Sequence, residues 1–311
     1  MISRRSLPGL PVSLLLLPAR AQPAAPEWEF QFPFGLPDRI PGDGCYVLHG
    51  YACENAQYFP GLWHTGENWY VLGADSAGAL VYAVADGEVV YAGYDYPGRV
   101  VIIRHADDLY SQYGHLNFDL PVVVGQQVER GEMIGTVLPR EAPRSHLHFE
   151  LRTFYTTPEV NGDMPRYSFT CGPNCPPGPG YWPMDAPEHP SAMGWRNPLH
   201  VITRRMGVPA AAEVMVPTDS WNRLFLFPDP GATIHTESIM LAGGTRLPVL
   251  EMAAGEEAST TVGAAATSIW YLVEVPGIED PRWCPAISPT MQAIQTNGQT
   301  TSFVFNLIPI M

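Results

Sequence analysis

The chain has 311 residues, of which 17 are basic and 31 acidic, for a formal net charge of −14. Every basic residue is Arg, which excludes a Lys nucleophile and a phosphate-binding P-loop Lys. The acid excess leaves no basic patch for nucleic acid or anionic lipid, and 33 Pro with 29 Gly favour short strands and turns over long helices.

Residues 1–21 read as an export signal. Arg4 and Arg5 precede the apolar stretch from Leu7 to Pro18, and Ala19-Arg20-Ala21 offers a small-x-small cleavage site. Ser3-Arg4-Arg5-Ser6-Leu7 also resembles a twin-arginine signal. The stretch is too short and too Pro-broken to span a bilayer, and no other run is long enough to do so. A secreted, periplasmic or wall-associated protein with no stable membrane span is expected. Export permits disulfides. Cys45 with Cys53 and Cys171 with Cys175 are spaced to close small loops, which leaves Cys284 over; buried thiols are the other reading. No C-x-x-C occurs, so zinc binding by cysteine is not expected.

Residues 22–56 form a Pro-rich lead-in. Residues 57–157 are the most regular part. Leu80 to Val84 and Val89 to Ala92 read as strands flanking the turn signal Asp86-Gly87, which predicts a hairpin. Arg99 to Arg104 and Tyr110 to His115 read as further strands. Gly125 to Gly135 reads as a tight hairpin, and His146 to Arg152 as the last strand. No amphipathic helical period of useful length appears, which predicts a mostly antiparallel β domain. Residues 158–207 are rich in Pro, Gly and Cys and are expected to pack on that domain as a loop, because Trp182 and Trp195 need burial. Residues 208–218 read as a linker, 219–294 as a second, small barrel-like β domain, and 295–311 as a tail. The fold class expected is therefore all-β.

Nine histidines are present, and five fall in 57–157: His64, His105, His115, His146 and His148. A lone His is more often structural than a ligand. A pair at i and i+2 of a strand is different, because both rings leave the same face about 7 Å apart. In Ser145-His146-Leu147-His148-Phe149-Glu150 the histidines take one face, and Leu147 and Phe149 the other. A zinc hydrolase needs three protein ligands and an open position for water, so further ligands would have to come from upstream.

His64-Thr65-Gly66-Glu67-Asn68, Val84-Ala85-Asp86-Gly87-Glu88-Val89, Tyr113-Gly114-His115-Leu116, Gly125 through Gly135 and Ser145 through Glu150 follow one another in an order that resembles the lysostaphin/LytM-type zinc metallopeptidases. Those enzymes cut peptidoglycan peptides, and the resemblance covers about residues 57–152 and implies a groove in this β domain. It implies that His64, position 68 and His148 bind Zn2+. It also implies that His115 and His146 form the catalytic pair and that Tyr58 faces the developing oxyanion. His105 falls at a position that is structural in the family. The chain departs from the family at Asn68, where the family has Asp. An amide oxygen can still bind zinc, and three neutral imidazoles suffice elsewhere to bring a zinc-bound water to a pKa near ~7. The neighbouring Glu67 is no substitute, since adjacent residues of an extended segment point to opposite faces.

Leu224 to Phe227, Gly244 to Glu251 and Trp270-Tyr271-Leu272-Val273-Glu274-Val275 resemble a bacterial SH3-like domain, which implies a module that holds the protein on its polymer. The activity implied is a secreted zinc metalloendopeptidase, monomeric, acting on peptidoglycan peptides. The alternative is a weakened or inactive relative that binds wall or regulates another hydrolase.

Overall fold

The computed structural model describes residues 29–56, 59–94, 98–141, 145–157, 160, 180–210, 212–218, 222–255, 269–289 and 302–310. Three features named above, the export signal, Tyr58 and the Cys171/Cys175 pair, lie outside them. Antiparallel sheet dominates, in keeping with the all-β expectation. Among the described residues no helix is long and apolar enough to cross a membrane.

A ten-stranded sheet runs through the middle of the molecule. In spatial order its path is Gln127–Val128, Gly87–Tyr94, Arg99–Arg104, Tyr110–Leu116, Leu147–Arg152, Glu67–Val71, Cys45–Leu48, Ser302–Phe305 and Ile287–Pro289. Trp195–Arg196 adds beside Leu151 and Arg152, where Glu67–Val71 no longer covers that strand. One face of the sheet is apolar. Val101, Ile103, Leu147, Phe149 and Leu151 share a core with Phe34, Val81 and Ile134. Those last three belong to a three-stranded sheet of Phe34–Gly35, Leu80–Tyr82 and Met133–Thr136.

Both expected hairpins are corrected by this arrangement. Leu80–Tyr82 and Gly87–Tyr94 do not pair across Asp86-Gly87; they lie in different sheets. The chain between them stays inside, with Ala83, Val84 and Ala85 all buried, and Asp86 Oδ1 accepts the Arg130 amide at 2.7 Å instead of closing a turn. Gln127–Val128 and Met133–Thr136 likewise pair with Gly87–Tyr94 and Leu80–Tyr82, not with each other. The physical reason is the same in both cases. Apolar residues on either side of the turn belong to two facing layers, and a local turn signal carries no information about the layer.

Cys45 and Cys53 are not joined. Each keeps its thiol hydrogen and donates it to a backbone carbonyl two residues back, Cys45 to Asp43 at 3.6 Å and Cys53 to Tyr51 at 3.8 Å. Burial pushes the Cys53 thiol well above the ordinary range, which keeps it protonated. Cys284 is a third buried thiol.

Within 158–207 the described residues hold more order than a loop. Tyr181–Pro183 pairs with Phe59–His64, and a helix spans Pro198–Arg205. Asn197 caps this helix by accepting the His200 amide, and Pro198 takes the first turn, where its missing N–H costs nothing. A second core belongs to a five-stranded sheet ordered Arg282–Pro285, Ile269–Val273, Arg246–Ala254, Glu213–Met215 and Ile308–Ile310, with a hairpin of Asn222–Leu226 and Glu237–Leu241 alongside. The last residues tie the two parts together. Ser302–Phe305 pairs with Cys45–Leu48 in the large sheet, and Ile308–Ile310 pairs with Glu213–Met215 in the small one.

Candidate metal centre

The site grows from three neighbouring strands at the centre of the large sheet. Antiparallel register sets His148 opposite Asn68 on one side and opposite Gly114 on the other, one residue before His115. His64 ends the strand Phe59–His64 and turns through Thr65 and Gly66 into Glu67–Val71. Only Gly is tolerated at 66, because a Cβ there would stand 2.3 Å from the Phe149 carbonyl oxygen. That close approach brings His64 and Thr65 onto the polar face of Leu147–Arg152.

His64 Nε2 lies 3.1 Å from His148 Nδ1, and Asn68 Oδ1 lies 3.2 Å from the same nitrogen. All three residues are buried. On the far side of the ring, His148 Nε2 is 3.0 Å from Glu150 Oε1. Glu150 has no exposed surface and gathers further donors: the Thr65 hydroxyl at 2.7 Å, the Trp195 indole N–H at 3.1 Å and the Arg152 guanidinium at 3.2 Å. Burial by itself pushes the Glu150 carboxyl up. The hydrogen bond from His148, the Arg152 charge and the Thr65 hydroxyl outweigh it and hold the group at about 2. An ionised carboxylate only accepts, so its contact with His148 is a hydrogen bond when the hydrogen is on Nε2, which leaves the Nδ1 lone pair facing His64 and Asn68.

Burial is also the first cause that lowers His64 well below the usual imidazole range, followed by the His148 and His49 charges. Its Nδ1 faces the Gly50 carbonyl at 3.4 Å, a weak contact in which the nitrogen donates. That leaves a lone pair on Nε2. With Nε2–H of His148 turned to Glu150 and Nδ1–H of His64 to Gly50, two imidazole lone pairs and an amide oxygen converge. A cation satisfies that set. Ligand atoms ~2.0–2.1 Å from a tetrahedral zinc stand roughly 3.3 Å from one another, close to the separations seen here. Among the described residues no group of three His, Cys, Asp or Glu converges to hold a metal. The converging set is two His and one Asn, and it fits zinc through its acceptor chemistry.

His115 and His146 lie at the open side. Their rings meet edge to face with centroids 4.7 Å apart, and His115 is 6.2 Å from the His148 ring. His146 stacks on Tyr70 at 5.1 Å, and His115 sits in left-handed backbone with φ 61°. Such a φ is uncommon outside Gly. The structure thus brings together His64, Asn68, His115, His146 and His148. Tyr58 lies outside the described residues, whereas Tyr181 packs its ring 5.3 Å from His64. Glu67 points away, as alternation requires, and accepts from the Trp69 indole and the Leu199 amide. His105 is structural: it contacts the Asp86 carbonyl at 2.8 Å and Ser111 Oγ at 2.7 Å.

Sequence reasoning gave no role to Thr65, Glu150, Tyr181 or Trp195. For Glu150 the signal was present, since a residue at i+2 shares the face of His148. Trp195 lies 45 residues further along the chain, and nothing local announces it.

Comparison with known proteins places these residues in a family context. The profile of Peptidase family M23 matches residues 67–162, a span that contains Asn68, His115, His146 and His148. Lipoprotein NlpD of Yersinia enterocolitica is 38% identical over 81 residues, 25% of this chain and 82% of that protein. Murein hydrolase activator NlpD of Salmonella dublin is 41% identical over 81 residues, 25% of this chain and 21% of that protein. Cell division protein DipM of Caulobacter vibrioides is 41% identical over 78 residues, 24% of this chain. The chain spans only 13% of DipM and 21% of the Salmonella protein.

Proposed function

Because the chain belongs to peptidase family M23, we propose that it is a zinc metalloendopeptidase of the cell envelope that cuts peptide bonds in peptidoglycan. The observation that carries this reading is the meeting of His64 Nε2 and Asn68 Oδ1 at His148 Nδ1, 3.1 and 3.2 Å away. These three would hold the metal. Zinc, when bound, supplies Lewis acidity to the scissile carbonyl and makes water a nucleophile at neutral pH. The imidazole pair supplies the proton chemistry. A ring nitrogen of His115 or His146 takes the proton of the attacking water and returns it to the leaving amine. Tyr70 holds the His146 plane by stacking, and the contact between the two rings fixes one against the other. Tyr58 remains the proposed oxyanion donor.

A second reading, that the chain activates another hydrolase instead of cutting, is favoured by the amide at 68 and by the name of the Salmonella relative. In either case the protein acts in the periplasm or at the wall, in line with the lipoprotein name of the Yersinia relative. Residues 219–294 are proposed to hold it there, and a pull-down of the whole protein on purified walls, with and without that part, tests the assignment. The activity test is direct. The protein is incubated with purified peptidoglycan, and soluble peptides are measured. Release abolished by chelator and by His148→Ala supports the peptidase. No release, together with equal stimulation of an added murein hydrolase by wild type and His148→Ala, replaces it with the activator.

A further inference from the structure

We infer that Glu150 is a positioning residue of the metal centre: it holds the His148 ring as the Nε2–H tautomer, and Trp195, supplied from beyond the family-matched span, completes the hold. The inference rests on the zinc reading above but concerns residues that the reading does not use.

The geometry of Leu147–Arg152 leads there. Its apolar side chains enter the core, and its other face carries His148, Glu150 and Arg152, all buried. Removing a carboxylate from water costs several kcal/mol, on the order of what a close buried ion pair returns. The network answers that cost by satisfying both oxygens. Oε1 accepts from Thr65 and faces His148 Nε2, and Oε2 accepts from Trp195 and Arg152. Arg152 is in turn held by Gln112 Oε1 at 3.1 Å. Every neighbour of the carboxylate is therefore a donor, so His148 can meet it only with a hydrogen on Nε2. The lone pair is then on Nδ1, the atom that faces His64 and Asn68.

Two features add weight to the hold in this chain. Asn68 is neutral, so among the described residues Glu150 is the carboxylate in contact with the ligand set, and negative charge reaches the metal only through the His148 ring. A carboxylate on the far nitrogen of a metal-bound His raises its basicity. The other feature is the cover. Trp195 and Trp182 form an aromatic layer with Tyr51 over this polar face, and the Gly180 carbonyl accepts the Thr65 amide at 3.0 Å. Gly180 has φ 81°, and a Cβ there would come within 3.3 Å of His148 Nε2, so the segment lies directly on the ring.

The test uses the whole protein, metal-free and zinc-titrated. Long-range 15N–1H correlation of the imidazoles reads the tautomer, and competition with a chromophoric chelator reads zinc affinity. Metal-free wild type is expected to show His148 as Nε2–H. Trp195→Phe, which keeps the aromatic packing and removes one donor, is expected to weaken zinc about tenfold. Glu150→Gln, whose amide can also donate, is expected to mix the two tautomers and weaken zinc by about 10–100-fold, the range usual for such partners. Thr65→Val serves as the independent variant should Glu150→Gln fail to fold with Arg152 left unpaired. A purely structural role would lower the melting temperature in these variants and leave tautomer and zinc affinity unchanged, which overturns the inference. His148 as Nδ1–H in metal-free wild type overturns it as well. Wild type that takes up no zinc yet shows His148 as Nε2–H sinks the peptidase reading and leaves the hold of Glu150 on His148 standing.

Discussion

Leu147–Arg152 in the large sheet and Ile269–Val273 in the small one are both central strands, flanked on both sides and almost wholly buried. They bury different chemistry. The first devotes one face to His148, Glu150 and Arg152, each bonded to a partner. The second sends its side chains into a core of Val214, Leu224, Leu247 and Val249, and its inward polar atom, the Tyr271 hydroxyl, has no hydrogen-bond partner among the described residues. Apolar residues of similar volume stabilise a sheet at least as well as a buried ion pair does. The polar layer is therefore not required by folding. It marks the strand of the proposed metal centre, and the small sheet shows what the same kind of packing looks like without such a layer.

Several experiments break or sharpen this contrast, beginning with the largest effect. His148→Ala removes a converging nitrogen and is expected to weaken zinc by roughly a thousandfold, ~4 kcal/mol on the binding scale. Chelator competition measures it; retention of wild-type affinity would place the metal elsewhere. Leu247→Ala, in the small core, is expected to cost about 2–5 kcal/mol of stability by urea denaturation and to leave zinc affinity unchanged. A parallel loss of zinc would show that the two layers are not separable.

A pH series separates structural histidines from those of the site. Burial is the main cause that lowers His105 to about 4 from the ordinary 6.5, so it is neutral in the folded protein. Its depressed value means that the unfolded chain takes up the proton first. Its contribution is complete above pH ~6.5 and is lost as pH falls toward ~4, by up to about 3 kcal/mol. Urea midpoints at pH 7 and 4.5 for wild type and His105→Gln test this; the variant should lose less stability on acidification. Asn68→Asp is expected to raise zinc affinity on the order of tenfold, ~1.4 kcal/mol, because a carboxylate replaces an amide in the ligand set. Smallest of all, Tyr271→Phe removes a hydroxyl that has no partner among the described residues and should raise stability by up to about 1 kcal/mol, read as a higher urea midpoint.

Much of this was legible in the residues because it is local. The alternation in His146 to Arg152 sets the histidines on one face and Leu147 and Phe149 in the core, and the structure keeps that division. The same rule turns Glu67 away from Asn68. The helix cap at Asn197-Pro198 is equally local, and it falls within the Pro-rich stretch expected to be a loop. Turn signals misled at Asp86-Gly87, where the backbone passes from one layer to the next.

By itself the sequence determined the all-β character, the order of the motifs and the residue types of the candidate site, since each depends on neighbours within a few positions. Tertiary structure alone decided which nitrogen of His148 faces inward. That choice depends on the donors packed against Glu150: Thr65 and Trp195 reach it from distant stretches of chain, and Arg152 from two residues along its own strand. Hydrogen bonds between residues 45 or 85 positions apart leave no periodicity to read, and a proton's place in a buried ring is set by whichever groups packing brings against it.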